Sequence, residues 1–325
     1  MENERHMIDE FKLINRLIKS SGENHPDAKD VLLVPPGDDA CLLSRIERPV
    51  ITTDTQREDI HFKREWQTPE EIGLKAVTVT LSDLAASFAK PISLFINLGM
   101  PPYLSQKEAE EIYHGIGIGL KKYCCTLGGG NLSDTDKLSL DLFAIGEGRD
   151  DIFPLRSMAK PGDGLYCTGP LGLARAGLEA LQQGNFSNQP LISFFKSPIA
   201  RFDAAEILAK HKVCCVIDIS DGLKGDARHI GEASKVSIEL SIEKRHLHPD
   251  LVTFCSENRM DPQDLAMAGG EDYELLFSCP PEIFEQVIKD LPEAYPVGRC
   301  LPFNGEYVLA PPSTLSSFQH GKKGR

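Results

Sequence analysis

Positive charge is in short supply in this sequence. Lys and Arg total 35 against 48 Asp and Glu, a formal net charge of -13 over 325 residues. That balance argues against a nucleic-acid partner, which would favour a basic surface. An acidic protein that handles phosphates needs cations as intermediaries, so the sign of the charge favours metal over Lys/Arg clamps. No apolar run reaches about 18 residues, so no membrane span is expected. The opening stretch from Met1 to Ile14 is acidic and lacks a signal-peptide core. A cytoplasmic location is the expectation.

Familiar motifs are also missing. There is no G-x-x-x-x-G-K-[ST], so a Walker-type phosphate cradle is absent, and no G-x-G-x-x-G follows a strand. The lack of G-x-S-x-G and H-E-x-x-H removes the commonest serine-hydrolase and zinc-protease readings. Nine cysteines occur without any C-x-x-C spacing. The pairs Cys124-Cys125 and Cys214-Cys215 lie in strand-like runs, where neighbours point to opposite faces, so neither pair is expected to bond to itself or share a metal. Reduced thiols of a cytosolic protein are the plain reading.

What is present reads as alternating helices and strands. Phe11, Ile14, Leu17 and Ile18 mark one face of a helix over 8–19. Strands are expected at 31–34, at 49–53 (ending at Asp54), at 92–98, at 124–127 leading into a Gly128-Gly129-Gly130 turn, and at 138–145. Thr68-Pro69-Glu70-Glu71 opens a helix that runs to about Ala89, and Ser105-Gln106-Lys107-Glu108 is a capping box for the next. The Gly-, Asp- and Pro-rich stretch 146–164 suggests a boundary near 150, giving domains 1–149 and 150–325. Beyond it come a strand at 165–168, helices at 171–183 and 198–211 with a polar loop between them, and a strand at 213–219.

One pattern recurs. Strand and helix ends carry short acidic clusters: Asp38-Asp39, Thr53-Asp54, Ser82-Asp83, and Asp218 with Asp221. A single Asp at a strand end is ordinarily a turn residue or a helix cap. Four such sites, each beside Ser, Thr or Gly, fit a shared site for hard cations. Mg²⁺ takes oxygen ligands and keeps room for waters and substrate phosphates.

Taken together, the segments resemble the thiamine-monophosphate kinase family. The likeness runs from Pro36-Gly37-Asp38-Asp39-Ala40 to Gly269-Gly270-Glu271-Asp272-Tyr273-Glu274. Between them lie Thr52-Thr53-Asp54 with His61-Phe62, Leu81-Ser82-Asp83-Leu84, and Arg156 ahead of Lys160-Pro161-Gly162-Asp163. Thr168-Gly169-Pro170-Leu171-Gly172 and Asp218-Ile219-Ser220-Asp221-Gly222 complete the order. The resemblance implies an α/β (α+β) fold of the aminoimidazole-ribonucleotide-synthetase type. Its N-terminal domain would contribute to a β-barrel at the centre of a homodimer, and its C-terminal α/β domain would close over the site. It also implies a reaction in which ATP and thiamine monophosphate give ADP and thiamine diphosphate.

Residue by residue, the resemblance makes Asp38, Thr52, Thr53, Asp54, Asp83, Asp218 and Asp221 magnesium ligands, with Asp54, Asp83 and Asp218 central to catalysis. Gly130, Asn131, Arg156 and Ser220 fall where the family contacts ATP, and Tyr113 near the nucleotide. His61 and Glu271 fall at the thiamine substrate, and Phe318 is the candidate C-terminal aromatic that stacks on it. One departure stands out. The family's usual Gly-Gly-Asp is here Gly129-Gly130-Asn131, so a neutral amide oxygen replaces a carboxylate ligand. The acceptor of such a reaction is a phosphate monoester, already largely dianionic at neutral pH, so little is asked of a general base. Direct transfer without a phosphoenzyme is expected. Two rivals stay open: another ATP-using enzyme of the same superfamily, and a non-catalytic nucleotide- or metal-binding relative.

Overall fold

The computed structural model describes residues 10–22 and 31–311. Among the described residues, those up to Leu81 together with Lys90–Glu147 form one compact unit. Ser82–Ala89 together with the residues from Gly148 onward form the other.

The first unit opens with helix α1 (Glu10–Ser20) and a short hairpin, β1 (Leu32–Val34) with β2 (Leu42–Leu43). Its body is a four-stranded sheet in the order β3 (Pro49–Arg57), β6 (Ser139–Glu147), β4 (Lys90–Met100), β5 (Thr126–Asp134). Leu94, Ile96, Leu98, Leu140, Leu142 and Ala144 are fully buried along one face of β4 and β6, the period of two that a half-covered sheet requires. Helix α2 (Pro69–Ala86), as far as Leu81, and helix α3 (Gln106–Lys122) belong to this unit. A Cβ on Gly73 would stand 2.0 Å from the Ile112 carbonyl oxygen, and one on Gly115 2.0 Å from that of Glu70. Glycine therefore lets the two helix backbones touch. Both helices start as their sequences dictate. Thr68 accepts from the Glu71 amide at 3.2 Å while Glu71 caps the Thr68 amide at 2.8 Å, and Ser105 and Glu108 form a full capping box.

In the second unit a six-stranded sheet runs β12 (Val308–Leu309), β9 (Val236–Leu240), β11 (Tyr295–Pro302), β7 (Gly164–Cys167), β10 (Leu275–Cys279), β8 (Cys215–Asp218). All its pairs are antiparallel except β12 with β9. Helices α4 (Leu173–Gln182), α5 (Gln189–Lys196), α6 (Phe202–Lys210), α7 (Leu223–Ser234), α8 (Pro249–Asn258), α9 (Pro262–Ala268) and α10 (Pro281–Asp290) complete it. One of its cores gathers Tyr166, Leu208, Val216, Leu275, Phe277 and Val287, and takes in Ala85 and Phe88 from the end of α2 and the turn after it. That packing fixes the helix end on which Ser82 and Asp83 sit.

The structure departs from the sequence reading in three places. β3 runs on to Arg57, so Asp54 lies within a strand and not at its end. β5 continues through Gly128–Gly130 to Asp134, so Asn131 is a strand residue where a turn was expected. The polar loop before α6 contains α5, whose Leu191, Ile192 and Phe195 are buried at helical spacing.

Candidate active site

Strand β8 ends on Asp218, whose carboxyl is 5% exposed. Its Oδ2 accepts a hydrogen bond from the Ser82 hydroxyl at 2.8 Å, and Ser82 is itself fully buried. The next residue of α2 is Asp83. Burial, and after it the charge of Asp83, push Asp218 up to about 7; the Ser82 hydrogen bond and the Arg156 charge act the other way. Two carboxylates that repel in a dry setting have a use for a cation. Arg156 opens a single 3₁₀ turn, Arg156–Met158. The turn is tied to α7 through the Ser234 hydroxyl, which donates to the Arg156 carbonyl at 2.8 Å.

Past Asp218 the chain turns through Ser220, Asp221 and Gly222, where φ is 103°. A Cβ on Gly222 would lie 2.8 Å from the Gly269 carbonyl oxygen, so glycine lets this turn lie against the 269–274 segment. Glu271 sits in that segment, and its amide donates to the Ser220 carbonyl at 2.8 Å. The structure thus brings Asp83, Arg156, Asp218, Ser220, Asp221 and Glu271 into one region of the second unit.

Two residues that the sequence reading did not single out join them. Asp226, on the first turn of α7, is buried and accepts from the Asp221 amide at 3.2 Å. Burial, then Asp218 and Asp221, hold its carboxyl well above the usual range. His229 follows one turn later, and donor atoms of Asp221, Asp226 and His229 all lie within 4.8 Å of one another. The i, i+3 spacing of Asp226 and His229, directly after Asp221, was a legible signal.

Apart from Phe318, the remaining candidates belong to the first unit. The Asp54 carboxylate accepts from the Thr55 amide at 2.6 Å; Thr52 is half-buried and Thr53 exposed. In the next row of the sheet, Thr55 pairs with Asp141, Asp141 with Asn97, and Asn97 with Asn131. The Thr55 hydroxyl donates to Asp141 at 2.7 Å. Asn131 therefore lies in the polar row of Thr55, Asp141 and Asn97, whereas Asp54 pairs with the buried Leu142 and belongs to the opposite face of the sheet. A Cβ on Gly130 would stand 1.9 Å from the Ile96 carbonyl oxygen, so only glycine fits there. Asp38 is exposed, and its carboxylate accepts from the Asp39 amide at 2.9 Å. His61 Nδ1 accepts from the Arg57 amide at 3.0 Å, which leaves the neutral ring's proton on Nε2. Tyr113 is buried in α3, and desolvation pushes its phenol upward. Phe318 lies outside the described residues.

The ligand chemistry of both groups is dominated by oxygen: Asp38, Thr52, Asp54 and Asn131 in one unit, Asp83, Asp218 and Asp221 in the other. Carboxylate, hydroxyl and amide oxygens suit a hard divalent cation, and the buried Asp218 beside Asp83 supplies the charge one would neutralise. Asp83, Asp218 and Asp221, gathered in the second unit, fit such an ion.

Comparison with known proteins bears on most of the chain. Residues 37–147 match the N-terminal domain of AIR synthase related proteins and residues 160–306 the C-terminal domain. A thiamine-monophosphate kinase of Aquifex aeolicus is 34% identical over 277 residues, 84% of this chain and 88% of the relative. One from Bacillus subtilis is 33% identical over 279 residues, 82% of each. A solved structure, AaThiL complexed with AMPPCP and TMP, superposes with a TM-score of 0.76 at 32% identity, covering 87% of this chain and 91% of that one. The thiamine-monophosphate kinase structure from Stenotrophomonas maltophilia gives 0.78 at 28%, covering 93% and 96%. The hydrogenase maturation protein HypE of E. coli, at 0.73 and 18%, shares the fold.

Proposed function

Since this chain belongs to the thiamine-monophosphate kinase family, with the two-domain AIR synthase related fold, we propose that it transfers the γ-phosphoryl group of ATP to thiamine monophosphate, giving thiamine diphosphate and ADP. The observation that carries this reading is the match over 87% of the chain, at 32% identity, to a relative solved with AMPPCP and TMP. It is supported by the buried Asp218 carboxyl, which burial and the charge of the half-buried Asp83 push upward.

The site chemistry supports direct transfer. The acceptor phosphate has its second pKa near ~6 and is already mostly dianionic, so no strong base is required. The larger problem is repulsion between two polyanions, since phosphoryl transfer is chiefly positioning and charge stabilisation. Magnesium ions held by Asp38, Asp54, Asp83, Asp218 and Asp221, with Thr52, Thr53 and Asn131, would offset that repulsion; a unit-charge pair at about 4 Å and an effective dielectric of ~20 is worth roughly 4 kcal/mol.

The chain's own groups do the rest. Arg156 presents a guanidinium to the nucleotide phosphates, and its charge already reaches Asp218. The Gly130 backbone, Asn131 and Ser220 bind the nucleotide. His61 offers an Nε2–H donor to the thiamine substrate, and Glu271 a carboxylate suited to its cationic ring. Asp218, drawn toward protonation by burial, would give up its proton to hold a cation, so occupancy of this position would rise with pH.

We also read the protein as a homodimer. The face of the β3-β6-β4-β5 sheet opposite the buried leucines carries Ile51, 66% exposed, and Phe143, 41% exposed, with Ile51 paired to Ile145 and Phe143 to Phe95. Those apolar rows call for a second copy. Nine free thiols suit a reducing compartment, which supports a cytoplasmic location. No helix among the described residues is long and apolar enough to cross a membrane. The test is conversion of thiamine monophosphate to the diphosphate by purified protein with ATP and Mg²⁺; absence of product under saturating conditions refutes the reading.

A further inference from the structure

We propose that Arg201 and the Thr168–Gly172 turn are positioning elements for this reaction: they clasp the 271–274 segment and hold Glu271 at the substrate. The inference rests on the kinase reading above and assigns a task to a motif, Thr168-Gly169-Pro170-Leu171-Gly172, that the reaction itself leaves without one.

The segment cannot hold its own shape. It joins α9 to β10, and two of its non-glycine residues are left-handed, Glu271 at φ 65° and Tyr273 at φ 51°. Such residues persist only where the surroundings over-determine them. On one side the segment is laced to the end of β8. The amides of Glu271 and Tyr273 donate to the carbonyls of Ser220 at 2.8 Å and Ile219 at 2.9 Å, and the Ile219 amide donates to the Glu274 carbonyl at 2.8 Å.

On the other side, the two acidic side chains that alternate with the strained residues are both taken by the clasp. Asp272 accepts from the amides of Gly172 at 2.8 Å and Ala174 at 3.3 Å, at the start of the ten-residue helix α4. Glu274 accepts from the Thr168 hydroxyl at 2.6 Å and from Arg201 Nη1. A Cβ on Gly169 would stand 2.4 Å from Glu274 Oε1, so glycine at 169 makes room for that carboxylate. Thr168 Oγ1 also accepts from the Leu275 amide at 2.8 Å, which fixes where β10 begins.

Arg201 is the anchor. It is 8% exposed, and its remaining donors are committed to the Thr168 carbonyl at 3.2 Å, to Asp203 at 3.0 and 3.1 Å, and to Glu293 at 3.0 Å. A planar fork shared among three carboxylates and a carbonyl is a geometry that lysine does not reproduce. Releasing Glu274 frees the end of the segment that presents Glu271, and a displacement of about 1 Å in a substrate contact is enough to cost orders of magnitude.

The test is steady-state kinetics on the full-length protein with Arg201→Lys and Thr168→Val. Leu251→Ala serves as a control for general destabilisation, because Leu251 is fully buried in α8 and takes no part in these bonds. Arg201→Lys is expected to raise KM for thiamine monophosphate at least tenfold and KM for ATP less than threefold. Thr168→Val should move the same constant in the same direction by at least threefold, and it carries the test alone if Arg201→Lys does not fold. Leu251→Ala should lower the melting temperature and leave both KM values in place. An unchanged KM for thiamine monophosphate in the folded variants, or a rise no larger than in Leu251→Ala at a matched loss of melting temperature, overturns the clasp. Wild-type turnover in the same experiment separates the two claims: its absence sinks the kinase reading, while its presence beside unmoved KM values sinks the clasp alone.

Discussion

Asp218 shows how a single residue couples stability to function. Its carboxyl is pushed up to about 7 by burial and by Asp83, and Asp272 to about 8, chiefly by burial. Asp226 and Glu274 are raised as well. For Asp218 and Asp272, the folded state holds a proton that the unfolded chain, with ordinary carboxyl values of about 4, has lost by pH 5.5. Stability therefore falls as pH rises from about 5.5 toward 8, because over that window the folded state binds more protons than the unfolded one. Carboxylates with depressed values, such as Glu108 and Asp203, are ionised in both states there and do not contribute to the slope. Metal-free protein should melt at a higher temperature at pH 5.5 than at pH 8, and Asp83→Asn should narrow the gap, because it removes the second cause of the Asp218 shift. Calorimetry in chelator checks both; a gap that Asp83→Asn leaves unchanged would mean that the two carboxylates do not interact.

Activity at the same scale should follow the ligand assignments. Asp54→Asn and Asp83→Asn are each expected to reduce kcat/KM by at least ~100-fold, about 2.7 kcal/mol of transition-state stabilisation, with circular dichroism unchanged. Asn131→Asp should lower the magnesium concentration needed for half-maximal rate. A magnesium titration indistinguishable from wild type would remove Asn131 from the ligand set.

Among the elements, α2 and α3 show how the scaffold depends on glycine. Because a Cβ on Gly115 meets the Glu70 carbonyl oxygen at 2.0 Å, Gly115→Ala must push the helices apart. It should cost about 1–3 kcal/mol, read as a lower urea midpoint. The starts of both helices could be read directly, since Thr68 and Ser105 cap through residues three positions away and such bonds are local. α5 escaped because it is only eight residues long and starts within the mostly polar stretch 183–190. Asp54 was placed at a strand end and Asn131 in a turn because Asp, Gly and Asn are depleted in strands; only pairing across the sheet extends β3 to Arg57 and β5 to Asp134. The Ser82–Asp218 and Thr168–Glu274 bonds span 136 and 106 residues. No local pattern encodes such a bond, so the acidic motifs could be found in the sequence while the hydroxyls that orient them could not.

At the scale of the whole molecule, assembly and reaction are each open to test. Phe143→Asp, on the open face of the β3-β6-β4-β5 sheet, should turn a dimer into a monomer in sedimentation velocity, and a variant that stays dimeric would place the interface elsewhere. The reaction is tested most directly by incubating purified protein with γ-labelled ATP, magnesium and thiamine monophosphate, and following the label by chromatography. The label is expected in thiamine diphosphate, its formation should require the divalent cation, and Asp83→Asn should abolish it. Hydrolysis of ATP with no labelled thiamine diphosphate, or no turnover at all with magnesium saturating, would contradict the kinase reading.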